Sequence, residues 1–575
     1  MKNCNLISRE NSYSSRLLFT TFLKNIESRK LKKLLFVLLI ILGINSGSNS
    51  QVLPIWQVSF NDSVSESNYA VKSKIDNGNN IVILARGSNN SLGTGVDFIT
   101  IKYNSSGQKL WNRRFDGTGH DSDYPSDLVI DRDNNIYVTG RSWGGVTKND
   151  YLTLKYNPDG ELLWAKRFDW LVSRNDEAYA IALDSKENIY VTGFASYDHL
   201  NGHDLSEMLT VKYNTLGDQI WVREFQGLSD QIDWSYSVAC DKKDNIFVSG
   251  FTYSINLNFT DIISIKYDSS GSEIWQRRCY NNGDDFIRPL FSKVDSNDNL
   301  IVASYYKGDS TLMDYLTYKY NSAGNLLWSK TYDGGVRNTD WINDMTIDSE
   351  NNIIITGTSR GMGSSYDFMT IKYSPSGNEL WQNRFNDSVN SSDENTRVAL
   401  DSKQNVLVFG TVSSEYSALC FYNKNGNLIS NFRNYSMKNA ASVNIDKNDY
   451  PVLVGLRDPK TFTAKYINII NETLYGSSES QQTSFILKQN YPNPFNPVTI
   501  IKYFLPLNRN AEKYNIKLVV CNSLGKEVSV LVSGSKTSGN FDVEFEGSNL
   551  PSGLYFYILF IDNKLIETKR MILLK

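Results

Sequence analysis

Short apolar runs with alternating polar residues recur along the middle of the chain, each bounded by turn-forming clusters. In Tyr151-Leu-Thr-Leu-Lys-Tyr156 the alternation is visible position by position, and the runs are rich in β-branched and aromatic residues, the mark of strands. No stretch sustains the 3.6-residue period of an amphipathic helix. The runs also repeat. KYNPDGELLW at 155–164 returns as KYNSSGQKLW from 102, KYNTLGDQIW from 212, KYDSSGSEIW from 266, KYNSAGNLLW from 319 and KYSPSGNELW from 372. A weaker copy, FYNKNGNLIS, starts at 421, and a last Lys-Tyr pair stands at 465–466. A second motif, DRDNNIYVTG at 131–140, has echoes beginning at Asp76, Asp184, Asp241, Asp295, Asp348, Asp401 and Asp446. Eight copies of each motif define eight units, with a step of 53 residues from Lys102 to Lys155. Periods of this size belong to solenoids and propellers.

Each unit predicts four strands, in the second unit Ser126–Asp131, Ile136–Gly140, Tyr151–Asn157 and Leu162–Phe168. The tight turn Asn157-Pro158-Asp159-Gly160 makes the Lys-Tyr and Trp strands hairpin partners, and the short Asp131–Asn134 turn pairs the first two. The eighth unit ends at Tyr466 without a Trp strand, while Ile55–Phe60 precedes the first unit as an orphan. The expectation is an all-β chain: a β-propeller of eight blades, seven being the alternative count, closed by the N-terminal strand so that no edge is left exposed. The unit resembles the SBBP-type beta-propeller repeat of secreted bacterial proteins over residues 51–466. Its Gly-xxx-Trp element is similar to the tryptophan docking motif of quinoprotein dehydrogenases. That similarity implies inter-blade packing for Trp56, Trp111, Trp164, Trp221, Trp275, Trp328 and Trp381.

The two ends of the chain read differently. Arg29, Lys30, Lys32 and Lys33 precede an apolar run from Leu34 to Ile44 and small polar residues to Ser50, the order of a secretory signal. Residues 1–50 are therefore expected to be a signal region, 51–470 the propeller, 471–484 a linker and 485–575 a separate module. The module carries YPNPFNP at 491–497, LGKEV at 524–528, LPSGLY at 550–555 and a basic-apolar end. It resembles the C-terminal sorting domain of type IX secretion, and its strand pattern predicts an Ig-like β-sandwich of about seven strands. The resemblance implies docking to an outer-membrane translocon, cleavage by a sortase-like protease, and a destination outside the cell or on its outer surface.

Composition narrows the chemistry. A formal charge of −3 argues against a nucleic-acid partner. Three His and no CxxC leave little for a metal; the one asymmetric set is His199, His203 and Asp204, short of a third or fourth ligand from elsewhere. Cys240, Cys279 and Cys420 fall at repeat positions that are otherwise hydrophobic and are expected to be core residues. Cys521 stands where the sorting family carries an aromatic, adding a candidate reactive thiol.

The repeated acids read as structural. Asp131 and its counterparts open a tight turn, where a carboxylate caps backbone N–H groups. Two further sets, led by Asp97, Asp150 and Asp314 and by Asp123, Asp176 and Asp340, follow the repeat, whereas catalysis breaks symmetry. No cofactor or catalytic residue is expected, and no asymmetric cluster of acids, His or Arg is legible on the inner strands. The sequence reading is a monomeric, non-enzymatic binding protein for a glycan or surface protein. Its rivals are a polysaccharide hydrolase or lyase, since propellers host such sites in their channels, and a structural adhesion component.

Overall fold

The computed structural model describes residues 54–575 apart from brief stretches, the longest being 280–290, 467–485 and 506–512. The expected signal region and linker lie outside the described residues. Contacts divide the chain into two compact units, with the boundary between Ile469 and Ile470.

The first unit contains eight four-stranded antiparallel blades, with strands A to D from the innermost outward. Blade 1 runs Ser67–Ile75, Ile81–Asn89, Gly95–Tyr103 and Lys109–Phe115. Blade 2 runs Tyr124–Ile130, Ile136–Trp143, Asn149–Tyr156 and Leu162–Phe168. Blades 3 and 4 follow the same order and are joined by a single parallel bridge, Ser206 to Ile232. In blade 8 strands A to C are Lys438–Ile445, Pro451–Arg457 and Lys460–Lys465, and strand D is Trp56–Phe60. The pairing of Trp56 with Lys465 and Phe60 with Thr461 closes the ring.

Each blade is sandwiched between two others, so its middle strands are covered on both faces and lose their alternation of exposure. Asp314–Tyr320 is buried at every position. Apolar clusters fill the seams: Val82, Leu84 and Phe98 of blade 1 meet Leu128, Val138 and Leu152 of blade 2. Across the closing seam, Val452 and Val454 meet Ile81, Ile83 and Ile99. Strand A carries a register shift in seven of the blades, for example between Pro125 and Asp127. Such bulges twist a strand and re-aim its side chains, here along the central channel.

Two rings of hydrogen bonds tie the blades together. The first runs through the A–B turns. Each turn holds one non-glycine residue in the left-handed region, namely Asn79, Asn134, Glu187, Asp244, Asp298, Asn351, Gln404 and Asp449, with φ of 60–66°. Each of these side chains accepts a backbone N–H from the preceding blade at 2.7–3.3 Å: Asn77, Arg132, Ser185, Lys242, Ser296, Ser349, Ser402 and Lys447 are the donors. The last step, Lys447 to Asn79, joins blade 8 to blade 1.

The second ring uses the C–D turns. The Lys of strand C and the Trp of strand D stand opposite each other, as Lys102 and Trp111 do. Both donate to one carbonyl in the next blade's turn, here Pro158, at 3.1 and 3.0 Å. Gly160 in that turn has φ +82°, and a Cβ there would meet the Trp111 ring at 2.6 Å, so glycine is required on both counts. The same Lys also reaches back to the Asp of its own A–B turn. Lys319 and Asp295 lie 2.8 Å apart, almost wholly buried, while Asn299 donates to both oxygens of the same carboxylate. Burial would raise the Asp295 carboxyl, but Lys319 and Asn299 hold it below the usual range. The Asp residues thus cap their turns and also neutralise a buried lysine that the sequence reading did not foresee.

Among the described residues the second unit is a seven-stranded sandwich. One sheet is Ile486–Leu487, Val498–Leu505 and Gly539–Glu546; the other is Glu527–Lys536, Tyr514–Asn522, Gly553–Ile561 and Lys564–Leu573. Its signature residues build its core. Phe495 of YPNPFNP is buried, donates its N–H to Ile572 and accepts from Leu574. Cys521 is buried among the strands, and burial pushes its thiol up, away from the thiolate that reactivity needs.

Candidate functional site

The sequence-predicted tryptophans all sit on the outer ring. Trp56, Trp111, Trp164, Trp221, Trp275, Trp328 and Trp381 donate Nε1 to Ser105, Pro158, Thr215, Ser269, Ser322, Pro375 and Lys424 carbonyls, at 3.0–3.3 Å. The histidine set falls on a hairpin extension of blade 3, where the backbone register pairs His199 with Asp204 and Leu200 with His203. The side chains of His199, His203 and Asp204 lie outside the described residues.

A different group of residues faces the central channel. The A strands of the eight blades line a cavity of about 910 Å³. Its charged wall includes Lys72, Lys74, Asp127, Lys293, Asp344 and Arg397. This corrects the expectation that the inner strands hold no asymmetric charge cluster. The signal was present as single charged residues inside otherwise apolar or small A strands. It went unread because a bulge shifts the alternation, so inward positions cannot be assigned by counting in twos.

The geometry fixes each charge. Lys72 of blade 1 pairs with Asp127 of blade 2, which also accepts Ile181 N–H of blade 3 at 3.3 Å. Asp344 of blade 6 accepts Val398 N–H of blade 7 at 3.0 Å. Arg397 donates Nε to the Ala441 carbonyl of blade 8 at 2.9 Å, and burial lowers its guanidinium pKa. Lys74 and Lys293 stay exposed to the channel. Dehydration by the surrounding wall, then the like charges of Lys72 and Lys293, push the Lys74 ammonium down to about 8, against the opposing pull of Asp127 and Asp344. Four basic groups thus share the wall with four carboxylates, Asp127 and Asp344 on the A strands and Asp348 and Asp401 at their ends; Asp127 is paired with Lys72 and Asp348 with Lys372.

Aromatic rings stand at one side of this lining. Tyr179 and Tyr236 stack at 4.8 Å with 14° between their planes. Behind them Phe194 and Trp234 stack at 4.6 Å, and Phe251 completes the group. Tyr179, Trp234 and Tyr236 are each half-buried.

Comparison with known proteins separates the two units. Residues 117–146 match the beta-propeller repeat, and residues 489–574 match the secretion system C-terminal sorting domain. An uncharacterised WD repeat-containing protein of Acanthamoeba polyphaga mimivirus is 23% identical over 436 residues, 63% of this chain. The chain spans only 29% of that protein's length. Among solved structures, an ulvan lyase of the polysaccharide lyase class aligns over 65% of this chain and 97% of its own, with 13% identity and a TM-score of 0.40. An α-L-arabinofuranosidase of Fusarium graminearum aligns over 51% and 92%, with 12% identity and a TM-score of 0.32. The chain is a propeller-repeat protein with a type IX sorting tail, and that tail directs it to the extracellular space or the outer-membrane surface.

Proposed function

We propose that the exported propeller is a binding protein that takes an anionic glycan at its central channel. The observation that carries the reading is that Lys74, Lys293 and Arg397 line the same channel as the Tyr179–Tyr236 stack. Basic groups attract carboxylate or sulfate substituents, and an aromatic platform suits the apolar face of a sugar ring. Binding to an array of acidic and neutral oligosaccharides tests it. Acidic ligands should be retained by the parent and lost in a Lys74→Met, Lys293→Met variant, with Tyr236→Ala weakening binding further. Equal retention of neutral and acidic sugars by both forms would refute the reading.

A second reading has one specific observation in its favour. An amine with a pKa of about 8, as at Lys74, is suited to general-base chemistry, such as elimination at a uronate. Turnover of an acidic polysaccharide to unsaturated products, abolished by Lys74→Met, would select this reading over simple binding.

The sorting tail is handled by the type IX system. Removal of residues 485–575 should leave a folded propeller in the periplasm, because its seams are filled from its own blades. Fractionation of full-length and truncated protein reads the outcome, and equal appearance of both outside the cell would remove the sorting role.

A further inference from the structure

On the side of the propeller away from the A–B turns, three acids from two blades converge at the seam between blades 2 and 3. Asp150 opens strand C of blade 2, Asp169 follows its strand D, and Asp176 opens strand A of blade 3. One carboxylate oxygen from each lies within 4.8 Å of the others. Asp150 and Asp176 are fully buried. Their Oδ2 atoms are satisfied: Asp150 accepts from Arg167 Nη1 and Thr147 Oγ1, both at 2.6 Å, and Asp176 accepts Trp170 N–H at 2.6 Å. Asp150 Oδ1 and Asp169 Oδ1 are buried with no hydrogen-bond partner, while Asp176 also draws on the Ser196 backbone N–H. A buried carboxylate with an orphaned oxygen is costly, and two occur in one place beside a third buried acid. Arg167 pairs with Asp150 alone. Three crowded carboxylates, two of them with an unpaired buried oxygen, match what a divalent ion coordinates.

We propose that Asp150, Asp169 and Asp176 form a cation site that pins blade 2 to blade 3, and that the cation is calcium. The donors are all carboxylate oxygens, the choice of a hard ion, and the flexible coordination of calcium lets backbone carbonyls and water complete the shell. The same three repeat positions are acids at two other seams, Asp97, Asp116 and Asp123 between blades 1 and 2, and Asp314, Asp333 and Asp340 between blades 5 and 6. Elsewhere the triad is broken: Gln226 stands at the Asp169 position in blade 3, and Asn386 in blade 6. The site is a device of particular seams rather than of the fold, and it departs from the sequence reading of these acids as purely structural.

Terbium serves as the probe on the full chain, because Trp170 adjoins the cluster and can sensitise its emission. Saturable tryptophan-excited luminescence, displaced by calcium, is expected. Asp169→Asn should remove one site from the calcium stoichiometry measured by equilibrium dialysis, or weaken it by about tenfold or more. Trp170→Phe should dim the emission while leaving calcium binding intact, and it keeps the test decisive if the Asp169 variant does not fold. Asp233→Asn, at a seam with a broken triad, should change neither reading. Absence of calcium binding, or emission indifferent to Trp170, would overturn the proposal.

Discussion

The seam between blades 6 and 7 and the seam between blades 7 and 8 are built from the same repeat but are joined differently. At the first, Lys372 and Trp381 both donate to the Lys424 carbonyl of blade 7, and Ser349 N–H reaches Gln404 on the inner ring. At the second, the inner contact persists as Ser402 N–H to Asp449, but Phe421 and Ser430 occupy the Lys and Trp positions. Blade 8 explains the change. Its strand D comes from the N-terminal end of the chain, so no C–D turn joins its outer strands, and among the described residues no turn carbonyl is offered to blade 7. In its place Phe432 packs on Tyr466 at 4.7 Å, and Asn434 Nδ2 donates to the Tyr466 hydroxyl at 2.6 Å. Among the described residues the inner ring therefore closes through eight seams and the outer through seven. The comparison teaches that the Lys and Trp of each repeat serve the neighbour's turn, and that a degenerate copy can record a missing partner.

The largest test of that comparison is removal of residues 54–60, which deletes strand D of blade 8 together with Trp56. Calorimetry should show a fall in thermal midpoint exceeding that of any single substitution below, and light scattering should show association through the bared edge. A monomer melting at the parental temperature would contradict ring closure. Within the seams, Trp275→Ala should cost about 3–5 kcal/mol in urea unfolding, the range for losing a large buried aromatic. Lys319→Met should cost a similar 3–5 kcal/mol by stranding Asp295 in the interior. Adding Asp295→Asn should recover much of that loss, whereas an additive double variant would mean the pair is not coupled.

At the odd seam the expectation reverses. Ser430→Trp should bring no stabilisation, staying within about 0.5 kcal/mol of the parent or below it, because the new indole finds no turn carbonyl. A gain above 1 kcal/mol, about the net worth of one hydrogen bond, would show that the outer ring does not depend on that turn. The smallest effect separates the inner contacts. Asp449→Ala removes a charged acceptor, a loss of about 1.5–3 kcal/mol, and Gln404→Ala a neutral one, about 0.5–1.5 kcal/mol.

Legibility followed the range of the causes. Tight turns such as Asn157–Gly160 are local, so strand grouping, blade count and the closing role of Ile55–Phe60 could be read from spacing alone. The sorting module was legible because YPNPFNP and its companions supply core residues such as Phe495. What escaped was set by neighbours. The carbonyl that receives Lys102 and Trp111 lies in the next blade, so the buried lysine–aspartate pairs left only a repeated Lys-Tyr as their trace. Asp127, Lys74 and Lys293 belong to blades 2, 1 and 5 and meet only in the channel, beyond bulges that break the count. Asp150 and Asp176 looked like repetition and Asp169 drew no notice, because their convergence appears only in three dimensions.

Closure by the first strand also has a consequence for biogenesis. Trp56 pairs with Lys465, so the pairing that completes the ring joins residues about 400 positions apart, a non-local contact of the kind that slows folding. Until the last blade has emerged, the chain keeps one unpaired strand at each end of the array. A chain cut short before Lys460 has nothing to pair with Trp56–Phe60. The closing strand is thus a completeness check written into the topology: only a product carrying both ends can hide its edges.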